Sequence, residues 1–279
     1  MAESIPFENF QPPPASVLLR RLKWGYRYFR PKLFGAEHVN PERPALFVGN
    51  HCIYGVIDSP FFMCELYRQT GVYPRSLGDH FHWNVPGWSS LLTEYGAVPG
   101  TRENCSRLME DGQFILVFPG GAREVAKRRG EENRLEWKQR TGFARMAIAH
   151  GYDILPFASV GCDDSFSILY DAEDFRDSWL GSRLLAQPRL SELLRGGDLF
   201  MPVARGLGPT ALPRPGPFWF QIGAPIATAQ LQGREDDEAV LWSLRGQVAD
   251  SIERMIEDLR QRQQASRDQW PLWQRLLSR

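Results

Sequence analysis

The feature that most constrains this fold is a short apolar run that leads into a histidine. Residues 45–48 are continuously apolar, which is the pattern of a strand buried on both faces, and a Gly-Asn pair then interrupts the run. His51 stands where such a strand ends, and Asp58 follows just before a Ser-Pro pair, a favourable helix start. In open α/β sheets, chemistry collects just beyond the carboxyl ends of strands.

A histidine and a carboxylate at this place suggest a general base and its orienting partner. Imidazole titrates near neutral pH, and a carboxylate bound to one ring nitrogen leaves the other nitrogen to accept a proton. Asp58 does this for His51 if the residues between them curl into a turn. The alternative is that His51 bonds only a backbone carbonyl while Asp58 caps a helix. Cys52 is a further candidate nucleophile, although adjacent strand residues point to opposite sides.

Composition and charge narrow the classes of function. The chain has 279 residues, of which 43% are hydrophobic, enough for one domain with a sizeable core. Its 33 basic and 33 acidic residues balance, so it lacks the basic field of a nucleic-acid-binding protein. The four cysteines have no metal-binding spacing and no secretory signal is evident, which indicates free thiols in the cytoplasm.

The N-terminal segment 16–30 has the pattern of an amphipathic helix with a basic face. Its apolar face is formed by Leu18, Leu22, Tyr26 and Phe29. We expect this helix, and the aromatic and basic segment 270–277, to lie on the inner face of a membrane, because no run reaches the about 18 apolar residues of a spanning helix. The alternative is an ordinary helix packed on the protein. We predict an N-terminal segment 1–35 and a single domain 36–279.

Helices and strands alternate through residues 45–160, which predicts an α/β fold with a mixed, largely parallel central sheet flanked by helices. Strands are predicted at about 95–98, 114–118, 154–160 and 218–222, with helices at 60–70, 102–111, 141–150 and 236–262. The segment 84–96 is expected to form a packed helix or to line an acyl groove, and residues 163–217 have no clear pairing. The two histidines His80 and His82, with Asp79 nearby, suggest a metal site, but no third ligand follows them at a familiar spacing.

Two glycines and an arginine follow the strand predicted at 114–118, in the sequence "FPGGARE". Gly120 and Gly121 allow backbone amides to approach a ligand closely, and Arg123 adds a forked cationic donor. Arg102, close to the N-terminus of a predicted helix, is a second anion-binding candidate. The alternative is that the Gly-Gly pair is only a turn and that Arg123 and Glu124 form a surface pair.

The order of these blocks resembles the PlsC-type glycerolipid acyltransferase superfamily over residues 40–225. The separation of His51 and Asp58 by six residues rather than four, and "FPGGARE" in place of a Phe-Pro-Glu-Gly-Thr-Arg block, are similar to a branch that contains diacylglycerol acyltransferases and phytyl ester synthases. Gly120 stands where that block has its glutamate. The substrate-binding residues that we carry over are Arg102, Pro119, Gly120, Gly121, Arg123 and Glu124.

The resemblance implies an O-acyltransferase that uses an acyl-CoA or acyl carrier protein thioester and no other cofactor. His51 would be the general base and Asp58 its partner, and the acceptor would be a neutral lipid alcohol such as diacylglycerol or a long-chain alcohol. Two alternatives stay open: a lysophospholipid or 1-acylglycerol-3-phosphate acyltransferase, and a non-catalytic lipid- or acyl-binding protein. An ester hydrolase is disfavoured because the G-x-S-x-G sequence is absent.

Overall fold

A seven-stranded sheet with helices on both faces organises the structure, a computed structural model that describes residues 10–79, 82–83, 87–194 and 198–278. The strands, including the two of a smaller second sheet, are β1 (Lys32–Phe34), β2 (Ala45–Gly49), β3 (Arg75–Gly78), β4 (Val98–Pro99), β5 (Ile115–Val117), β6 (Asp153–Val160), β7 (Ser167–Tyr170), β8 (Val203–Arg205) and β9 (Trp219–Ile222). The α-helices are α1 (Ala15–Phe29), α2 (Asp58–Thr70), α3 (Trp88–Glu94), α4 (Arg102–Glu110), α5 (Gly121–Val125), α6 (Gly142–His150), α7 (Ala172–Asp177), α8 (Trp179–Leu185), α9 (Pro188–Leu193), α10 (Glu238–Ala265) and α11 (Leu272–Leu277).

The main sheet has the order β1-β9-β6-β2-β5-β3-β4. Its neighbouring strands run parallel except β6 and β9, which are antiparallel. The predicted mixed, largely parallel sheet is therefore confirmed. Because β2 lies in the middle of the sheet, between β5 and β6, the loop that follows it opens at the centre of the carboxyl edge.

The alternation of side chains along β2 explains why the sheet is covered on both faces. Leu46 and Val48 pack into a core with α4, α6 and α10, whereas Phe47 points into a second core with α1 and α2. The apolar stripe predicted along the long C-terminal helix lies in the first core. Its members Leu241, Leu244, Val248, Ile252, Met255 and Leu259 are all buried in α10.

Helix α1 packs its apolar face against the domain. Leu18 and Phe29 are buried, and the Tyr26 hydroxyl donates a 2.7 Å hydrogen bond to Glu65 of α2. Its exposed side carries Trp24, whose exposed fraction is 70%. The strand that follows it, β1, pairs with β9 inside the main sheet. The division at residue 35 stays a prediction, and no described helix combines the length and apolarity needed to cross a bilayer.

Two parts of the chain differ from what the sequence predicts. The strand predicted at 95–98 is wrong except at its end, because Tyr95 caps α3 and Gly96, at φ 77°, closes it. A bond from Ala97 N–H to Leu92 O completes that helix end, so β4 begins only at Val98. Residues 163–217, which had no predicted pairing, form the small β7–β8 sheet and three short helices.

Candidate active site

His51 and Asp58 form a hydrogen-bonded pair at the carboxyl end of β2. Nδ1 of His51 lies 3.2 Å from Oδ2 of Asp58, the first residue of α2. The six residues between them turn back on themselves through a 3.0 Å bond from Gly55 N–H to Cys52 O, with Tyr54 and Gly55 both at positive φ. The long loop therefore brings the two side chains together, and Nε2 of His51 is left to accept a proton.

The carboxylate of Asp58 is buried and ionised. Burial alone would raise its pKa, but His51 and the backbone N–H groups of Cys52 and Ser59 lower the pKa to about 2. Those N–H groups lie 2.9 Å from Oδ2 and 2.8 Å from Oδ1, respectively. At neutral pH Asp58 is thus a fixed negative charge that holds the His51 ring by Nδ1.

Two neighbours define the surroundings of the His51 ring. The ring stacks on Phe118, with 3.8 Å between the ring centroids and 8° between the planes. Gly55 lies beside the opposite nitrogen, since a Cβ atom at that position would stand 2.8 Å from Nε2. Gly55 is a residue that the sequence analysis missed, although a glycine within a loop that must fold back to its own histidine is the available signal.

An apolar cavity of about 370 Å³ opens onto His51. It is walled by α1, α2, β3 and α3, so the segment predicted to line an acyl groove does reach it. Its lining side chains are mainly apolar and include Leu18, Leu22, Val56, Met63, Leu77, Trp88, Leu91, Leu92 and Phe118. Among the described residues that line it there is no lysine or arginine. A larger cleft of about 490 Å³, between α10 and the loop after β6, is lined by polar residues and does not include His51.

The "FPGGARE" segment begins with Phe118, which stacks on His51, and all of its residues are buried or half-buried. Pro119 and Gly120 are buried, and the N–H of Gly121 already donates to Phe118 O at 3.0 Å. The Arg123 guanidinium is 6% exposed and pairs with Glu131 and, at 3.6 Å, with Glu136. The charge of Arg123 is therefore neutralised by glutamates inside the protein and is not presented at the cavity wall.

The other predicted substrate-binding side chains are also not brought to the cavity. Glu124 is fully buried, and Arg102 is exposed at the first turn of α4. Neither belongs to the lining of the cavity at His51. Pro119, Gly120 and Gly121 are also outside that lining, so contact of these six residues with a substrate stays a prediction, whereas the structure brings His51 and Asp58 together.

Arg140 is a second residue that the sequence analysis missed. Its Nη1 donates a 2.8 Å hydrogen bond to Pro119 O, and a Cβ atom at Gly121, which has φ 49°, would stand 2.6 Å from the same nitrogen. Within the described part of the chain Arg140 makes no ion pair with a carboxylate. The cation that lies on the Gly-Gly turn is therefore Arg140 and not Arg123. Nothing in the local sequence marks it, because it follows the turn by about twenty residues.

Cys52, the candidate nucleophile beside His51, is buried in a form that disfavours the thiolate. Cys52 is 2% exposed, and burial raises the pKa of its thiol to about 11, so it is protonated at neutral pH. All four cysteines are free thiols. The described residues hold no group of three potential metal ligands, and His80, one of the residues that invited a metal site, lies outside them.

Comparison with known proteins agrees with this geometry. The family model named Acyltransferase matches residues 30–160, which contain the His51–Asp58 pair and the Gly120-Gly121 turn. Phytyl ester synthase 2, a chloroplastic protein of Arabidopsis thaliana, is 29% identical over 234 residues, covering 80% of this chain and 33% of the relative. The "DGAT1/2-independent enzyme synthesizing storage lipids" of Bos taurus is 33% identical over 149 residues, covering 53% of this chain and 43% of the relative.

The chain thus spans about a third of the length of the phytyl ester synthase that it matches. Among solved structures, the 1-acyl-sn-glycerophosphate acyltransferase PlsC of Thermotoga maritima shares the fold, with a TM-score of 0.52 at 16% identity over 88% of this chain and 79% of that one. The family model thus matches residues 30–160 of this chain, and the chain is similar to acyltransferases in sequence and to PlsC in fold.

Proposed function

We propose that this acyltransferase moves a fatty acyl group from a thioester, acyl-CoA or acyl carrier protein, to the hydroxyl of a neutral lipid such as diacylglycerol or a long-chain alcohol. The observation that carries the proposal is the position of His51. Its Nε2 stands at an apolar cavity of about 370 Å³, while its Nδ1 is held by the buried, ionised Asp58. A base at the end of an apolar cavity suits a reaction between two lipid-like substrates.

The proposed chemistry needs no covalent enzyme intermediate. Nε2 of His51 takes the proton of the acceptor hydroxyl as that oxygen attacks the thioester carbonyl. The tetrahedral intermediate then expels the thiolate, which receives the proton from the imidazolium. The protonated thiol of Cys52 supports this direct transfer. General-base assistance of this kind contributes about 10²–10⁴-fold to the rate.

The oxyanion and the phosphates of the acyl-CoA need hydrogen-bond donors from the protein. We propose the Gly120 amide and Arg140 for this role, because the N–H of Gly121 already donates to Phe118 O and Arg123 is paired with glutamates. Preorganised donors of this kind stabilise the charge that develops in the transition state.

The acceptor is proposed to be uncharged because the cavity offers no cation. Its described lining includes no lysine or arginine, so a phosphorylated acceptor would find no countercharge there. The named activities of the phytyl ester synthase and storage-lipid relatives also favour this branch of acceptors. A lysophospholipid acceptor is the alternative, and its phosphate would have to be held outside the cavity.

Membrane attachment is proposed through one surface built from both ends of the chain. Tyr28 of α1 and Trp273 of α11 pack with their ring centroids 6.0 Å apart, and Gln274 donates a 2.7 Å hydrogen bond to Tyr28 O. The exposed apolar side chains of this surface are Trp24, Leu272, Trp273, Leu276 and Leu277. With the exposed basic residues of α1, this composition suits a peripheral position on the cytoplasmic, anionic face of a membrane.

The experiment that tests the function measures thiol release from a panel of acyl-CoA donors with detergent-dispersed acceptors. The acceptors are diacylglycerol, a long-chain alcohol, lysophosphatidate and glycerol 3-phosphate, and the wild type is compared with His51→Ala. We expect turnover with the neutral acceptors and its loss in His51→Ala, with unchanged thermal stability. A preference for the phosphorylated acceptors would overturn the neutral assignment. Full activity of His51→Ala would overturn the proposed base.

A further inference from the structure

Glu124 is a fully buried carboxylate that the proposed reaction does not use. Its exposed fraction is 0%, and neither carboxylate oxygen has a hydrogen-bond partner of good geometry among the described residues. An unsatisfied buried polar group ordinarily costs about 1–3 kcal/mol, and a charged one costs more. Such a group needs an explanation in its surroundings.

The side chain of Glu124 is folded back under the glycine turn. A Cβ atom at Gly120 would overlap the Cβ and Oε2 atoms of Glu124, so the absence of a side chain at 120 makes room for this carboxylate. In the block that the sequence resembles, position 120 carries the glutamate. Here the carboxylate comes from Glu124, four residues later, and occupies the space beside the turn.

The same segment holds the catalytic loop from behind. Phe118 stacks on the His51 ring, and Tyr54 N–H donates to Val125 O at 3.0 Å. The charge of His51 and its backbone N–H both favour the ionised form of Glu124, which has no hydrogen-bond partner among the described residues. Glu124 and Asp58 are therefore two buried carboxylates that act on one histidine.

A buried cation, Lys127, favours the charged form of Glu124. Lys127 is 0% exposed and lies 3.5 Å from Asp163, whose carboxylate also accepts the N–H of Ile53 at 2.7 Å. Burial raises the pKa of Glu124 to about 7, although Lys127 and His51 favour its charged form. Glu124 can thus change its charge in the pH range where an imidazole does.

We propose that Glu124 is a positioning residue that stabilises the imidazolium of His51 from behind the catalytic loop. The proposal rests on the proposed function of His51 as base, and it gives Glu124 an indirect role through His51 instead of a contact with substrate. As His51 takes the acceptor proton, the negative charge of ionised Glu124 stabilises the positive charge on the ring, and Glu124 neither gains nor loses a proton in this step. The proton returns to the leaving thiolate, so Glu124 itself ends each cycle unchanged.

The test replaces Glu124 by glutamine, which keeps the shape of the side chain and removes its charge. The readout is the titration of His51 followed by NMR of ¹³C-labelled histidine, with the signal assigned by its absence in His51→Ala. The charged or titratable groups that act on this pair are Asp58, His82, Lys127 and Asp163, and they are left in place. Asp171→Asn, which neutralises a buried helix-capping carboxylate elsewhere, is the matched control.

We expect the titration midpoint of His51 to move down by roughly 0.5 to 1 pH unit in Glu124→Gln and to stay in place in Asp171→Asn. The acid limb of the pH profile of kcat/KM should move in the same direction, and kcat should fall. A residue that only packs the loop would leave the midpoint unchanged in Glu124→Gln, and that result would overturn the proposal. Because the titration needs no substrate, it separates this outcome from a failure of the acyltransferase assay.

Discussion

Gly55 stands so close to the Nε2 atom of His51 that a methyl group there would lie 2.8 Å from it. Nε2 is the nitrogen that Asp58 leaves to accept a proton, and Gly55 also has φ 66°, a conformation that other residues adopt at a cost. The loop between His51 and Asp58 therefore closes the contact between the two side chains and, because residue 55 has no side chain, leaves space beside Nε2.

We predict that Gly55→Ala lowers kcat by about 10²-fold or more, because the added methyl occupies the place of the acceptor oxygen. Thermal stability should also fall, by about 1 kcal/mol, because of the left-handed backbone. The comparison is Gly71→Ala, which carries the same positive φ strain with open space around it and lies at the other end of α2. Equal losses of activity in the two variants would show that strain alone is responsible.

The buried charge of Glu124 predicts a pH-dependent stability. Burial raises its pKa from 4.5 to about 7, so the folded chain holds this proton more tightly than the unfolded chain. Stability should therefore fall as the pH rises from about 4.5 to about 7, by up to about 3 kcal/mol, and the penalty is fully present above pH 7.

Glu124→Gln should consequently gain stability relative to the wild type at pH 8 but not at pH 4.5. Thermal unfolding at both pH values measures this, and the relevant quantity is the change in the difference between the two proteins. A constant difference across the range would show that folding does not change the pKa of Glu124. If Glu124→Gln gained stability at pH 8 and also had a lower kcat, the carboxylate would be shown to destabilise the fold while contributing to the reaction.

Much of this architecture can be predicted from local sequence. The apolar run before His51 and the glycine after α2 define their elements, because the burial of a central strand and the end of a helix leave marks within a few residues. The separation of His51 from Asp58 is also readable, although only the structure shows that Tyr54 and Gly55 at positive φ turn the loop back.

The contacts that the "FPGGARE" block makes cannot be predicted from the local sequence in the same way. Arg123 has the residue type of an anion-binding group, but Glu131 and Glu136 neutralise it after a loop whose path the sequence does not define. Arg140 reaches the glycine turn from the loop before α6, and its contact is unpredictable for the same reason. Ion pairs between residues in irregular segments depend on tertiary packing, whereas strand and helix periodicity does not.

Whether Arg140 or Arg123 acts at the site can be tested directly by mutation. We predict that Arg140→Ala raises the KM for acyl-CoA by about 10-fold or more with little change in stability, since a charge-assisted hydrogen bond contributes about 1.5–3 kcal/mol. Arg123→Ala should instead lower the unfolding temperature, because it leaves Glu131 without its buried partner. Arg140→Lys, which keeps the charge, is the control for lost packing. A KM that is unchanged in Arg140→Ala would remove this residue from the site.

The surface shared by α1 and α11 predicts how the protein binds lipid. Trp24 is 70% exposed on α1 and is flanked by basic residues, and Leu272 and Leu276 are exposed at 68% and 61%. Burying an apolar side chain of this size in a bilayer contributes about 1.5–3 kcal/mol. We therefore expect Trp24→Ala, or Leu272→Ala combined with Leu276→Ala, to weaken binding to anionic vesicles by roughly tenfold or more.

Cosedimentation with vesicles of anionic and of zwitterionic lipid measures this binding, and the anionic vesicles should bind more tightly because each basic residue near the surface contributes about 1 kcal/mol. Trp179→Ala is the matched control, since Trp179 is 74% exposed but belongs to α8. If Trp179→Ala weakened binding as much as Trp24→Ala, the membrane would contact α8 as well, and attachment would not be specific to the α1–α11 surface. Because Leu18 and Leu22 of α1 also wall the cavity, a membrane bound to the outer side of this helix would place lipid substrates within reach of His51.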